Sequence, residues 1–123
     1  MSAKVLIVED EGAIAEALSF LMGREGWEAF VARDGELAVK ATQTAKLDLI
    51  ILDLMLPRVA GMDVLRLVRS QALNQQTPIL VLTARGKEND EEKARANGAT
   101  VFMTKPFSNA DLVAQARTLI EGV

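Results

Sequence analysis

Three short runs in this chain are apolar at every position: VLIV at residues 5–8, LIIL at 49–52 and ILVL at 79–82. A strand with one face in water alternates apolar and polar side chains, whereas a strand apolar throughout needs cover on both faces. Stretches with helical spacing lie between the runs. Ile14, Leu18, Leu21 and Met22 form one such stripe, which Gly26 stops. Asp34 and Gly35 open a second through Leu37, Ala38, Ala41 and Ala45. Leu65 and Val68, with Leu67 beside them, carry a third over residues 61–70. Ser108-Asn109-Ala110-Asp111 reads as a capping box with Asp for the preferred Glu, and it opens a last helix through Leu112, Ala116, Leu119 and Ile120. Residues 28–32 are a weaker strand candidate, and 101–104 form a last short strand that ends near Lys105-Pro106. Strand and helix thus alternate along the whole chain, which predicts a doubly wound α/β fold, a parallel sheet with helices on both faces.

The 123 residues suffice for one core. No linker, repeat or low-complexity segment divides them, so residues 1–123 read as one domain. The net charge of -3 argues against a nucleic-acid-binding face, which is usually basic. There is no cysteine and no histidine. That excludes thiol catalysis, Fe–S clusters and Cys- or His-ligated metal, and it removes the commonest general base near neutral pH. A metal here must sit on oxygen ligands, which favours Mg²⁺, Ca²⁺ or Mn²⁺. The longest apolar stretch, residues 49–56, is interrupted by Asp53 and too short to span a bilayer. The first residues lack the length and cleavage site of a secretory signal, so the expected location is the cytoplasm, without membrane contact.

Ligands of doubly wound sheets bind at the carboxyl ends of the strands. In this chain those ends carry Glu9 and Asp10, then Asp53, Thr83 and Lys105. Folding therefore gathers three carboxylates, a hydroxyl and an ammonium on one edge. Clustered carboxylates raise each other's pKa values and need compensation. Lys105 offsets one charge and a divalent cation the other two; Mg²⁺ fits, since it takes one or two protein carboxylates and keeps positions for water and phosphate oxygens. A carboxylate so neutralised is a candidate nucleophile that forms an acyl phosphate.

The fragments VLIVEDE, LIILDLMLPRVAGMDVL, PILVLTA and MTKPF, in this order and at these spacings, resemble the receiver domain of two-component response regulators over essentially the whole chain. The resemblance implies a flavodoxin-like fold of five parallel strands, order 2-1-3-4-5, with five helices. It implies Asp53 as phosphoacceptor, and Asp10 as a direct Mg²⁺ ligand (Mn²⁺ is an acceptable substitute). Glu9 matches the second acidic position and the backbone carbonyl of Met55 the third protein ligand. Thr83 matches the switch hydroxyl, Lys105 the lysine that pairs with the phosphoryl group, and Lys105-Pro106 a cis peptide. Phe102 matches an aromatic switch position that is often Tyr; without the hydroxyl only an apolar in-or-out gate remains. Met55 and Arg85 match positions that tune hydrolysis of the phosphoryl group, and neither is a water-positioning acid or amide, so self-dephosphorylation is expected to be slow to intermediate.

The implied partners are a sensor histidine kinase or histidine phosphotransfer protein, which must supply the phosphodonor histidine this chain lacks, and a downstream protein target. The chain itself is expected to be an acceptor that catalyses its own phosphoryl transfer, not an enzyme acting on other molecules. The competing function is a degenerate receiver that binds partners without phosphorylation. A flavodoxin-type FMN site would need a Ser/Thr/Gly loop where Glu9, Asp10 and Glu11 stand. A haloacid-dehalogenase-type phosphatase would need an Asp where Met55 stands, and a dinucleotide site needs a G-x-G-x-x-G that is absent.

Two further expectations concern output. Residues 87–99 have only alanines as apolar side chains, so a fourth helix there has little burial to anchor it and reads as the mobile output element. The segments LMLPRVAGMDVL and TARGK look most like receivers of the winged-helix transcription-factor class, whose relatives often dimerise through helix four, strand five and helix five. Thr100 and Val101 stand where acids are common in that dimer, and Glu91 and Glu92 where a basic residue is common. The expectation is a single-domain regulator, monomeric or weakly dimeric on phosphorylation, rather than an excised fragment.

Overall fold

The structure is a computed structural model, which describes residues 2–84 and 89–122. Five strands, β1 (Lys4–Val8), β2 (Glu28–Ala32), β3 (Leu49–Leu52), β4 (Ile79–Ala84) and β5 (Val101–Lys105), form one parallel sheet in the order β2-β1-β3-β4-β5. The helices are α1 (Gly12–Arg24), α2 (Gly35–Thr44), α3 (Gly61–Ser70), α4 (Asp90–Ala96) and α5 (Asn109–Glu121). The doubly wound fold and its strand order are those expected.

The doubly apolar runs are explained by two separate cores. Leu6, Val8, Ile50, Leu52, Ile79 and Val81 face one side, where α3 supplies Val64, Leu65 and Val68, and α2 supplies Ala38. The alternate residues Val5, Ile7, Leu49, Ile51, Leu80 and Leu82 face the other, under Leu18, Leu21 and Met22 of α1 and Leu112 and Ala116 of α5. Each fully buried Leu, Ile or Val contributes about 1.5–3 kcal/mol relative to exposure, so the three central strands hold the sheet. The edge strand β2 has one neighbour and is mostly exposed, which is why its sequence signal is weak.

The helix starts follow their caps. The Asp34 side chain accepts the Leu37 N–H at 2.9 Å to open α2, and Ser108 Oγ accepts the Asp111 N–H at 3.3 Å to open α5. Three readings need correction. Leu37 and Leu67 stand in helical stripes but are exposed, because each lies on the flank of its helix away from the sheet. Strand β4 continues to Ala84, since Thr83 and Ala84 still pair with Thr104 and Lys105.

Helix α4 occupies Asp90–Ala96 of the stretch expected to be helical; Lys87 and Glu88 lie outside the described residues. Its buried residue is Ala94, and its N-cap residue, Asn89, has a left-handed backbone and no side-chain capping bond. One buried methyl is a small anchor beside the four buried residues of α1. Amide hydrogen exchange is therefore expected to be faster in α4 than in α1, with and without phosphorylation. Protection equal to that of α1 would remove α4 as the mobile element.

Candidate functional site

The strand order places the site. The sheet winds outward in both directions from the junction of β1 and β3, leaving a crevice at their carboxyl ends. Val8 and Leu52 are in register, and the N–H of Asp53 donates to the Val8 carbonyl at 3.0 Å. The residues that follow, Glu9 and Asp53, thus lie side by side at the mouth of that crevice. Thr83 and Lys105 arrive from the adjoining pair, where β4 and β5 end in register.

Asp53 is only 5% exposed and both of its oxygens are held. Oδ1 accepts the Met55 N–H at 3.0 Å and the Thr83 hydroxyl at 2.9 Å, and Oδ2 accepts Lys105 Nζ at 3.0 Å. Lys105 Nζ also donates to Glu9 Oε1 at 2.6 Å, and Glu9 Oε2 accepts the Glu11 N–H at 3.2 Å. Carboxylate oxygens of Glu9, Asp10 and Asp53 lie within 4.8 Å of one another, with Asp10 the most open of the three. The Lys105–Pro106 peptide at the rim is cis, as the resemblance implied.

The electrostatics follow from burial. Desolvation raises the Glu9 carboxyl above its ordinary range, and the Asp53 charge adds to this; the Lys105 and Glu11 hydrogen bonds act the other way without cancelling it. Burial alone would lower the Lys105 ammonium, but its hydrogen bonds to Glu9 and Asp53 and their negative charge outweigh that, and its pKa rises. The site is therefore a cation between two buried carboxylates, with a third carboxylate at the opening. Three oxygen-bearing acids in such a cluster are the donor set that a hard divalent cation prefers.

Of the residues predicted for the site, Glu9, Asp10, Asp53, Thr83 and Lys105 come together. Met55 reaches Asp53 through its backbone N–H while its side chain is 69% exposed at the surface. That N–H contact was missed, because a main-chain donor leaves no mark on residue type. Phe102 is half-buried and packs against the core that α3 covers. Arg85 lies outside the described residues.

A parallel α/β sheet with an acidic crevice, a hydroxyl and an ammonium at its carboxyl edge defines a class of protein, and the comparisons place this chain within it. Residues 5–117 match the family model described as response regulator receiver domain. The chain is 40% identical over 120 residues to the alkaline phosphatase synthesis transcriptional regulatory protein PhoP of Bacillus subtilis, covering 98% of this chain and 49% of that protein. Its fold superposes with a TM-score of 0.90 on the chemotaxis response regulator CheY4 of Vibrio cholerae, at 33% identity, covering 97% of this chain and 99% of that one. The TM-score is also 0.90 with the receiver domain of a sensor histidine kinase from Pseudomonas aeruginosa, at 26% identity, covering 98% and 99%; that structure is described as having a magnesium ion coordinated in the active site cleft. The chain belongs to the response regulator receiver domain family. It spans about half the length of the curated relatives it matches, as with the 49% of PhoP.

Proposed function

We propose that this chain is a phosphorylation-driven signalling switch with Asp53 as the acceptor. The observation that carries this reading is the set of bonds on Asp53: a buried carboxylate held on both oxygens by Met55 N–H, Thr83 Oγ1 and Lys105 Nζ, beside Glu9 and Asp10. A nucleophile held in one orientation needs little further ordering before an in-line attack. A carboxylate oxygen of Asp53 attacks phosphorus, and the bond from phosphorus to the donor atom breaks. The electron pair leaves with the donor, giving an acyl phosphate. The Lys105 ammonium and the Thr83 hydroxyl lie where they can follow their Asp53 bonds onto the new phosphoryl oxygens, which pulls β4 and β5 ends toward the crevice. Half-buried Phe102 on β5, and then α4, transmit that shift to a partner surface.

The donor set fits Mg²⁺, with Mn²⁺ as a substitute. Asp10, Glu9 and Asp53 would hold it, joined by the Met55 carbonyl, and it would supply charge neutralisation at the phosphoryl oxygens. The Pseudomonas receiver supports this choice of ion. The phosphoryl donor is a histidine-bearing kinase or phosphotransfer protein, a reading that membership of the receiver family supports; these 123 residues contain no histidine of their own. The chain is an acceptor with slow self-dephosphorylation, not an enzyme for other substrates, and it works in the cytoplasm; no helix among the described residues is long and apolar enough to cross a membrane.

Incubation with acetyl phosphate and Mg²⁺ followed by intact-mass measurement tests the reading. The expected result is the mass of one added phosphoryl group, lost in Asp53→Asn. No added mass in the natural chain would favour a phosphorylation-independent binding module, and mass that persists in Asp53→Asn would move the acceptor elsewhere.

A further inference from the structure

Arg33 follows β2 directly, on the crevice side of the sheet edge. Its guanidinium donates twice to one acceptor, the backbone carbonyl of Asp10, from Nε at 3.2 Å and from a terminal nitrogen at 2.6 Å. The choice of partner is unusual for an exposed arginine in an acidic neighbourhood. Asp34 adjoins it in the chain and Glu16 lines the same groove between α1 and β2. Yet among the described residues Arg33 forms no ion pair. Gly12 makes room for the contact: a Cβ there would lie 3.3 Å from an Arg33 terminal nitrogen, so the guanidinium rests on the bare first residue of α1.

The carbonyl it holds has no other use among the described residues. The Ala15 N–H donates to the Glu11 carbonyl, one residue later, so α1 leaves Asp10 out of its ladder. Nor is the Asp10 carboxylate tied down. Glu9 and Asp53 are each fixed by hydrogen bonds on both oxygens, whereas no hydrogen bond among the described residues holds the Asp10 side chain. With no hydrogen bond on its carboxylate, Asp10 depends for its placement on its main chain, and Arg33 is the side chain that bonds that main chain at the carbonyl.

We propose that Arg33 is a positioning residue for divalent-cation binding: by clamping the Asp10 carbonyl it aims the Asp10 carboxylate into the acidic crevice. This rests on the reading of that crevice as the cation site. The two ways in which an arginine can act here have opposite signs. Its positive charge repels a cation, so if charge were its contribution, removing it would tighten binding. If positioning is its contribution, removing it weakens binding, as loss of an outer partner of a metal ligand does.

The experiment is calorimetric titration of the protein with Mg²⁺ alone, with no phosphodonor present. Arg33→Ala is expected to weaken Mg²⁺ binding about tenfold, the lower end for loss of such a partner. Arg33→Lys, which keeps the charge and a single donor nitrogen but not the two-nitrogen fork, is expected to recover part of that loss. Arg24→Ala removes the same charge from the far end of α1, where the guanidinium sits over Phe20, and is expected to bind Mg²⁺ as the natural chain does. Melting curves in metal-free buffer are expected to coincide for the natural chain and Arg33→Ala, since the side chain is exposed; coincident melts with weakened Mg²⁺ binding separate aiming from folding. Affinity in Arg33→Ala equal to or tighter than natural overturns the proposal while leaving the cation site intact. Failure of the natural chain itself to bind Mg²⁺ overturns the underlying reading and this inference with it.

Discussion

Replacing Gly61 with alanine is expected to destabilise the fold by about 3 kcal/mol, at the upper end of the range for overpacking a filled interior. The sign has to be argued, because Gly61 is the first residue of α3 and alanine is the better helix former by about 1 kcal/mol. Steric contact decides it. A Cβ at Gly61 would stand 2.4 Å from Leu54 Cα and 2.5 Å from the Asp53 carbonyl oxygen. These are backbone atoms that cannot rotate away, unlike the tip of a long side chain. They are also tied to Gly61 itself, whose N–H donates to the Leu54 carbonyl at 3.1 Å. Relief therefore requires either α3 to lift from its core or the segment after Asp53 to move. The first exposes Val64, Leu65 and Val68; the second displaces the Met55 N–H from Asp53. Urea melts followed by far-ultraviolet circular dichroism are expected to show a lowered midpoint with unchanged slope, and uptake of phosphoryl from acetyl phosphate is expected to slow in the fraction still folded. A midpoint equal to the natural chain's would mean that the β3–α3 turn yields at little cost.

What could be read from the residues divides along physical lines. Runs such as LIIL at 49–52 were legible because burial on both faces leaves no polar position, and composition alone records that. Glu9, Asp53, Thr83 and Lys105 were legible because parallel topology forces strand ends onto one edge. The exposure of Leu37 and Leu67 was not, since helical spacing fixes a stripe but not the width of sheet beneath it. Nor was Asn74 legible. It is fully buried, accepts the Leu47 N–H at 2.8 Å and donates to the Thr42 and Ala45 carbonyls at 2.7 and 2.8 Å, locking the loop before β4 to the end of α2. Arg69 similarly clamps the turn after α4, donating to the Gly98 carbonyl from two nitrogens, at 3.0 and 2.8 Å. Side chains that bond to main-chain carbonyls have no partner residue type to betray them. The Arg33–Asp10 contact escaped the sequence for the same reason.

Removing Lys105 is expected to cost about 3 kcal/mol and to change how stability depends on pH. Its side chain is 14% exposed and lies between Glu9 and Asp53, which are more buried still. Deleting one partner of a buried ion pair leaves an uncompensated charge and costs about 3–5 kcal/mol; the partial exposure of the ammonium favours the lower figure. In the natural chain the Lys105 pKa is raised, so its stabilisation is complete at neutral pH and is lost only as pH rises through that raised value. Lys105→Met keeps most of the length of the side chain and discards the charge. Glu9 is already raised by burial and by the Asp53 charge, and it then loses the hydrogen bond that held it down, so its pKa rises further. A raised carboxyl favours folding below its unfolded pKa and loses that advantage as pH climbs through the folded value. The variant should therefore be more stable in mildly acidic than in neutral buffer, with stability falling across the interval above the ordinary glutamate range, where the natural chain shows a weaker slope. Chemical denaturation at several pH values in metal-free buffer reads this directly. If Lys105→Met matched the natural chain in both midpoint and pH slope, the carboxylates would have to be relieved by water rather than by the ammonium, and the crevice would be wetter than its hydrogen bonds imply.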